Sequence, residues 1–181
     1  RVAIKVLHPS LADNAIAIER FRREARAVVK LRSEHVCRVM DVGTLGEGIP
    51  YIVMEYLEGQ DLGAIVGEKN PLSPATAVNY LIQTCDAVVE AHAAGIVHRD
   101  LKPQNLFLTH RLDGTPIVKV LDFGLAKGEY AQGEELTATG EVMGTPHFMS
   151  PEQITGMNSV DFRSDLWALG AVLFNLLTAQ T

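Results

Sequence analysis

Between His98 and Asn105 the chain sets a carboxylate (Asp100), an ammonium (Lys102) and a carboxamide (Asn105) within a few residues of one another. A second carboxylate, Asp122, follows a short strand-like run in Asp122-Phe123-Gly124. Phosphoryl transfer uses such a set. A carboxylate orients an attacking hydroxyl and receives its proton, a cation neutralises charge on the moving phosphoryl, and oxygen donors hold Mg²⁺. A free aspartate has a pKa of about 3.9, so Asp100 in that role orients the hydroxyl more than it stores a proton early. Asn105 and Asp122 offer the oxygen ligands a hard cation takes. Singly, Asn105 also reads as a turn residue and Asp122 as an Asx turn at a strand end. Their joint occurrence in this order carries the chemical reading.

A third charged position stands apart from these. In Val2-Ala3-Ile4-Lys5 a lysine sits among apolar strand residues. Buried there, its ammonium needs anionic partners. Alone, the tetrapeptide reads as an edge strand with its lysine turned to water. Glu24 lies beside the apolar stripe of Phe21, Ala25 and Val28, from which a carboxylate can reach inward to Lys5. Glu19, with Arg22 and Arg23 at i+3 and i+4, belongs to a solvated face. If Glu24 were only a surface ion pair it would contribute little.

The elements that must position these groups follow from pattern. Residues 1–7 read as a β-strand, rich in β-branched residues. Ile18, Phe21, Ala25, Val28 and Leu31 recur at spacings of three and four, which predicts a helix over 16–31. Two strands are expected at 36–42 and 51–56, joined by a turn at Gly43–Gly48. The three glycines there run G-x-x-G-x-G with no helix after them, which suits a turn rather than a phosphate loop. Ser73-Pro74 starts a helix that runs to about Ala94, with Gly95 as its C-terminal cap. Val78, Leu81, Ile82, Cys85, Val88 and Val89 are expected on its core face. Short strands at 106–108 and 117–121 bracket the catalytic elements around the turn-like Asp113-Gly114. Residues 125–150 are weakly periodic and read as a loop. A strongly apolar helix is expected over 165–177; apolar nearly all round, it calls for burial on every side, and without the helices that would cover it a large apolar patch is expected to face water. The helix is too short for a membrane span and is interrupted by Asp165 and Asn175. Strands come first and helices later, an α+β arrangement.

Composition narrows the function classes. The chain has 181 residues, 47% hydrophobic and 21% charged, with a net charge of −6. No strong basic field argues for nucleic acid. Cys37 and Cys85 lie far apart in apolar surroundings and read as reduced core residues. The histidines show no metal-ligand spacing. The chain opens at Arg1 inside a strand pattern and stops at Thr181 just after an apolar run, so we read it as a piece of a longer domain.

His98-Arg99-Asp100-Leu101-Lys102-Pro103-Gln104-Asn105, Val2-Ala3-Ile4-Lys5 and Asp122-Phe123-Gly124 together resemble the catalytic signatures of eukaryotic-like (Hanks-type) serine/threonine protein kinases. Tyr51-Ile52-Val53-Met54-Glu55-Tyr56 and Ser150-Pro151-Glu152-Gln153 are similar to the bacterial branch. The resemblance covers almost the whole chain. It implies a two-lobed kinase fold with residues 1–57 as a partial small lobe and hinge, and 58–181 as a partial large lobe. The first strands, with the glycine-rich loop, and the late helices of the family fall outside these residues, so this stretch alone is expected to be inactive.

The family's roles, carried over residue by residue, make Asp100 the base and Lys102 the contact to the transferred phosphoryl. Lys102 favours serine and threonine substrates over tyrosine. Asn105 and Asp122 become the Mg²⁺ ligands, and Lys5 meets the ATP phosphates and Glu24, which also fits an R-F-x-x-E pattern. Backbone groups of Glu55 and Leu57 would bond adenine, with Met54 behind it. Asp61 would face the ribose, or serve as a solvated loop carboxylate.

Arg99, before the catalytic Asp, implies control by a phosphorylated activation segment, with Thr137 and Thr139 as acceptors. Thr145 lies in Gly144–Glu152, which resembles the substrate-docking end of that segment, with S-P-E for the usual A-P-E. Asp165-Leu166-Trp167-Ala168-Leu169-Gly170 resembles the helix that anchors the catalytic loop. His98, Phe123, Val28 and Val39 align with a stacked apolar spine.

The expected activity is transfer of the γ-phosphate of ATP, with Mg²⁺, to protein Ser/Thr hydroxyls. Expected partners are a protein substrate, ATP and a second kinase domain for phosphorylation in trans, with no nucleic acid. A cytoplasmic domain is expected, with a membrane anchor elsewhere in a longer chain left open. The rival class is a pseudokinase or docking module. Such modules typically lose the motif lysine, the catalytic Asp or the metal Asp, and here all are present. A small-molecule phosphotransferase is disfavoured by Lys102 and Gly144–Glu152.

Overall fold

The computed structural model describes residues 1–8, 11, 14–67, 70–123, 146–156 and 160–180, and for Arg20, Glu24 and Glu47 the backbone alone. Among the described residues two antiparallel sheets form, each with helices beside it. Strands β1 (Val2–Val6), β2 (Val39–Thr44) and β3 (Pro50–Glu55) make the first, in the order β1-β3-β2. Register pairs Lys5 with Ile52 and Ala3 with Met54. A shift between Val39 and Asp41 bulges β2 at Met40.

Helix α1 (Ala15–Val28) lies against this sheet. Asn14 caps its start by accepting the Ala17 N–H at 3.0 Å. Phe21, Ala25 and Val28, the predicted stripe, are buried. The helix closes at Val28, before the predicted Leu31, and a tighter turn carries residues 29–31 on, with Lys30 N–H to Ala27 O and Leu31 N–H to Val28 O.

The second sheet is β4 (Gln60–Asp61), β5 (Leu106–His110) and β6 (Pro116–Val120). Gly59, at φ 151, passes so close to the Leu108 carbonyl that a Cβ would overlap it. Asp61 then caps the short helix α2 (Leu62–Val66), accepting the Ala64 N–H at 2.8 Å. Helix α3 (Pro74–Ala93) begins at Ser73 with proline in its first turn and ends before Gly95 at φ 74, as its sequence predicted. A four-residue helix α4 (Pro151–Ile154) precedes α5 (Phe162–Thr178).

One expectation about a helix face is corrected in part. On α3, Val78, Ile82 and Val89 point outward, at 45%, 57% and 66% exposure. Val88 is buried and Leu81 and Cys85 pack against the core as expected, but the rest of the buried face is made by Ala77, Thr84, Ala87 and Ala91. There α3 meets β6 and α5 closely, and small side chains permit that approach where large ones do not. On α5, Asp165, Ala168, Leu169, Val172 and Leu176 are buried, while Leu166, Trp167 and Phe174 are exposed among the described residues. One face of α5 is thus buried and an apolar face stands open to water, as expected for this stretch.

Candidate active site

The loop between α3 and β5 is shaped by a buried carboxylate beneath it. Asp165 on α5, 1% exposed, accepts the backbone N–H groups of His98 and Arg99, each at 2.8 Å, and lies 2.7 Å from His92 Nε2. Charge-assisted bonds of this length fix backbone direction. They hold Arg99 in the left-handed region at φ 64, a conformation that costs a non-glycine residue free energy. From the other side, Gln153 of α4 donates to the Arg99 carbonyl at 2.8 Å. The loop is thereby clamped between α5 and α4.

His98 is fully buried within this clamp, and its ring lies 4.8 Å from that of Phe123. Val28 and Val39, the other members of the expected stack, are also buried. Burial pushes the His98 imidazole below its ordinary pKa, against smaller opposing effects of the Leu121 carbonyl and nearby carboxylates.

The clamp presents Asp100, Lys102 and Asn105 together. Lys102 Nζ lies 3.1 Å from Asp100 Oδ2. Asn105 donates through Nδ2 to the Asp100 carbonyl at 2.8 Å and to Oδ2 at 3.2 Å. The Asn105 carbonyl accepts the Leu121 N–H at 2.9 Å, so one residue links the loop to the strand end that carries Asp122. Asp122, at φ 54, meets Lys5 Nζ at 2.7 Å. Four of the residues singled out in the sequence therefore form two ion pairs bridged through Asn105. The Glu24 side chain and residues Thr137, Thr139 and Thr145 lie outside the described residues.

Where the first sheet joins the second, sequence reasoning missed a contact. Glu55 Oε1 receives Lys119 Nζ at 2.7 Å and the Arg38 N–H at 2.8 Å. Beside it, Cys37 donates its N–H to the Val120 carbonyl, and burial pushes its thiol up to about 12. Glu90, equally unmarked in the sequence, accepts the N–H groups of Arg32 and Ser33 at 2.7 and 2.6 Å. Apart from the Arg38–Glu55 bond, these contacts join residues more than fifty positions apart, and no local spacing announces them.

The family model described as "Protein kinase domain" matches residues 1–181. This chain belongs to the protein kinase family. Among relatives of this kinase domain, "Serine/threonine-protein kinase Pkn1" of Myxococcus xanthus is 46% identical over 180 residues, covering 99% of this chain and 25% of that protein. "Serine/threonine-protein kinase PknB" of Mycobacterium tuberculosis is 41% identical over 182 residues, with 99% and 28% covered. The chain thus spans about a quarter of the length of these relatives. The crystal structure of the Mycobacterium tuberculosis PknI kinase domain superimposes with a TM-score of 0.76 at 28% identity, covering 97% of this chain and 63% of that one. The α+β expectation therefore resolves to the protein kinase fold, and its bacterial flavour matches these relatives.

Proposed function

We propose that this kinase domain transfers the γ-phosphate of ATP to serine and threonine hydroxyls of proteins. The observation that carries the reading is the convergence of Lys102 and Asn105 on the Asp100 carboxylate. Asp100 accepts the proton of the substrate hydroxyl as its oxygen attacks the γ-phosphorus in line with the departing ADP oxygen. Lys102 supplies the ammonium that meets the transferred phosphoryl, a role supported by its 3.1 Å approach to Asp100. Lys5 holds the phosphates of bound ATP and pairs with Glu24.

The donor set fits magnesium. Asn105 commits its amide nitrogen to Asp100, leaving its side-chain oxygen as a ligand atom, and Asp122 supplies a carboxylate. When bound, magnesium neutralises phosphate charge.

On this reading residues 1–57 are the small lobe with its hinge and 58–181 belong to the large lobe. Backbone groups of Glu55 and Leu57 meet adenine. Asp61 reaches the ribose with the carboxylate oxygen that Ala64 does not use. We place the reaction in the cytoplasm, where ATP is supplied. No helix among the described residues is long and apolar enough to cross a membrane. Two copies would phosphorylate one another in trans at Thr137 or Thr139, with Thr145 nearer the substrate. Arg99 Nε is buried without a hydrogen-bond partner among the described residues, so a phosphate there would satisfy it. Phosphopeptide mapping of active protein should find phosphate on Thr137 or Thr139. Full activity of the double alanine variant, with no phosphate in 125–145, would reject this control.

The test of the activity is direct. Full-length protein, labelled ATP and a generic protein substrate should yield phosphoserine and phosphothreonine, in a reaction that Mg²⁺ supports. Label found only on tyrosine, or none at all, would overturn the assignment.

A further inference from the structure

We infer that Glu90 is a positioning residue for this reaction, fixing the C-terminal end of α1 to α3 and thereby setting where Glu24 stands. The inference rests on the reading that Glu24 pairs with Lys5.

The adjacent N–H groups of Arg32 and Ser33 point the same way and form a small anion-binding concavity. Both oxygens of the Glu90 carboxylate fill it, at 2.7 and 2.6 Å. These are short, charge-assisted bonds between parts of the chain 58 and 57 residues apart. Little slack separates them from α1. Val29, Lys30 and Leu31 bond back to Ala25, Ala27 and Val28, so the turn is hydrogen-bonded right up to the clamp.

Beyond Ser33 the loop remains tied to the second sheet. Arg111 makes a two-pronged pair with Glu34 at 2.7 and 3.1 Å. The Val120 N–H donates to the His35 carbonyl at 2.7 Å, and Cys37 donates to the Val120 carbonyl at 3.0 Å. Among the described residues, these hydrogen bonds tie residues 32–37 to α3, to Arg111 in the turn after β5 and to β6. Glu90 is the tie nearest to α1.

The geometry gives α1 a pivot at its C-terminal end. At 1.5 Å per residue, Glu24 lies about 6 Å before Val28, whereas Ala15 lies about 20 Å away. A swing of the helix about that end therefore moves its N-terminal end most and the Glu24 backbone only about a third as far. Releasing Glu90 frees the pivot itself, and the Glu24 position is lost with it. A glutamate that merely stabilised the loop would change the melting temperature without acting through Glu24.

A double-mutant cycle on the full-length protein separates these cases. Glu90→Ala should lower kcat by about ten- to a hundredfold, the range for displaced catalytic geometry. Glu24→Ala should lower it too. The double variant should fall no further than Glu24→Ala, because the two act in series. Glu90→Gln keeps one acceptor oxygen and should fall between wild type and Glu90→Ala, which covers the case of an unstable alanine variant. Amide exchange at Arg32 and Ser33 should accelerate in both Glu90 variants. Losses that multiply, or a wild-type kcat in Glu90→Ala, would overturn the inference alone. A wild-type kcat in Glu24→Ala would show instead that the Lys5 pairing is wrong, and the inference would fall with it.

Discussion

His98 Nδ1 accepts the backbone N–H of Asp100 at 3.2 Å, while His98 Nε2 lies 2.8 Å from the Leu121 carbonyl. Together these partners require the neutral tautomer with its proton on Nε2. Protonating Nδ1 would set two donors against each other and push the Asp100 backbone away. Burial lowers the His98 pKa, and that has a sign. Above the unfolded value of about 6.5 both states are neutral and the stability is intact. Below it the unfolded chain takes up a proton that the folded chain resists, so stability falls as pH drops, by up to about 1.4 kcal/mol per pH unit. Melting temperature followed from pH 8 to 5 should decline more steeply in wild type than in His98→Gln. Parallel curves would show that His98 is not the group concerned.

Asp100→Asn should reduce kcat by roughly 10²–10⁴-fold with nucleotide affinity little changed, because in the proposed mechanism the carboxylate acts on the protein hydroxyl. The amide still reaches Lys102 and Asn105, so the loop should keep its shape. Turnover and nucleotide binding measured on one preparation decide it. Wild-type turnover would remove Asp100 from the chemistry.

Asp122→Asn removes the charge that meets Lys5 at 2.7 Å and a proposed magnesium ligand. Activity should then demand far more Mg²⁺. A titration of rate against Mg²⁺ that superimposes on wild type would contradict the metal role.

Asp165→Ala should destabilise the domain by about 3 kcal/mol or more, since it strands three donors: His98 N–H, Arg99 N–H and His92 Nε2. Urea unfolding measures the loss. With that support gone, Arg99 has little to hold it at φ 64, and activity should fall further than the stability change alone explains. An unchanged urea midpoint would mean that the clamp is dispensable.

How much of this was legible depended on the range of the forces involved. The α1 stripe and the Ser73-Pro74 start of α3 are set by local periodicity and capping, and both were read correctly. The inward face of α3 was read only in part: Val88, Leu81 and Cys85 do pack there, but a scan for large apolar residues cannot see how near β6 and α5 come, and closeness selected Ala77, Ala87 and Ala91 over Val78, Ile82 and Val89. Helix α2 escaped because its five residues are too few to show a period, and Asp61, its cap, was read as a ribose or loop carboxylate. Asp100, Lys102 and Asn105 sit within one short loop, so the sequence itself brought them together. Glu90 and Lys119 act across the fold on backbone groups and side chains that only tertiary placement brings within reach.

The tie between Cys37 and Val120 makes this thiol a built-in gauge of whether the two sheets are together. With its pKa pushed to about 12, on the order of one thiol in 10⁵ is ionised at pH 7, so alkylating reagents meet almost no nucleophile while the loop is seated. Lifting residues 32–37 off β6 would return the thiol to water and speed its labelling. Cys85, half-buried on α3 and away from that seam, supplies an internal reference. The ratio of the two labelling rates would report the opening of the molecule in a protein that carries no added probe.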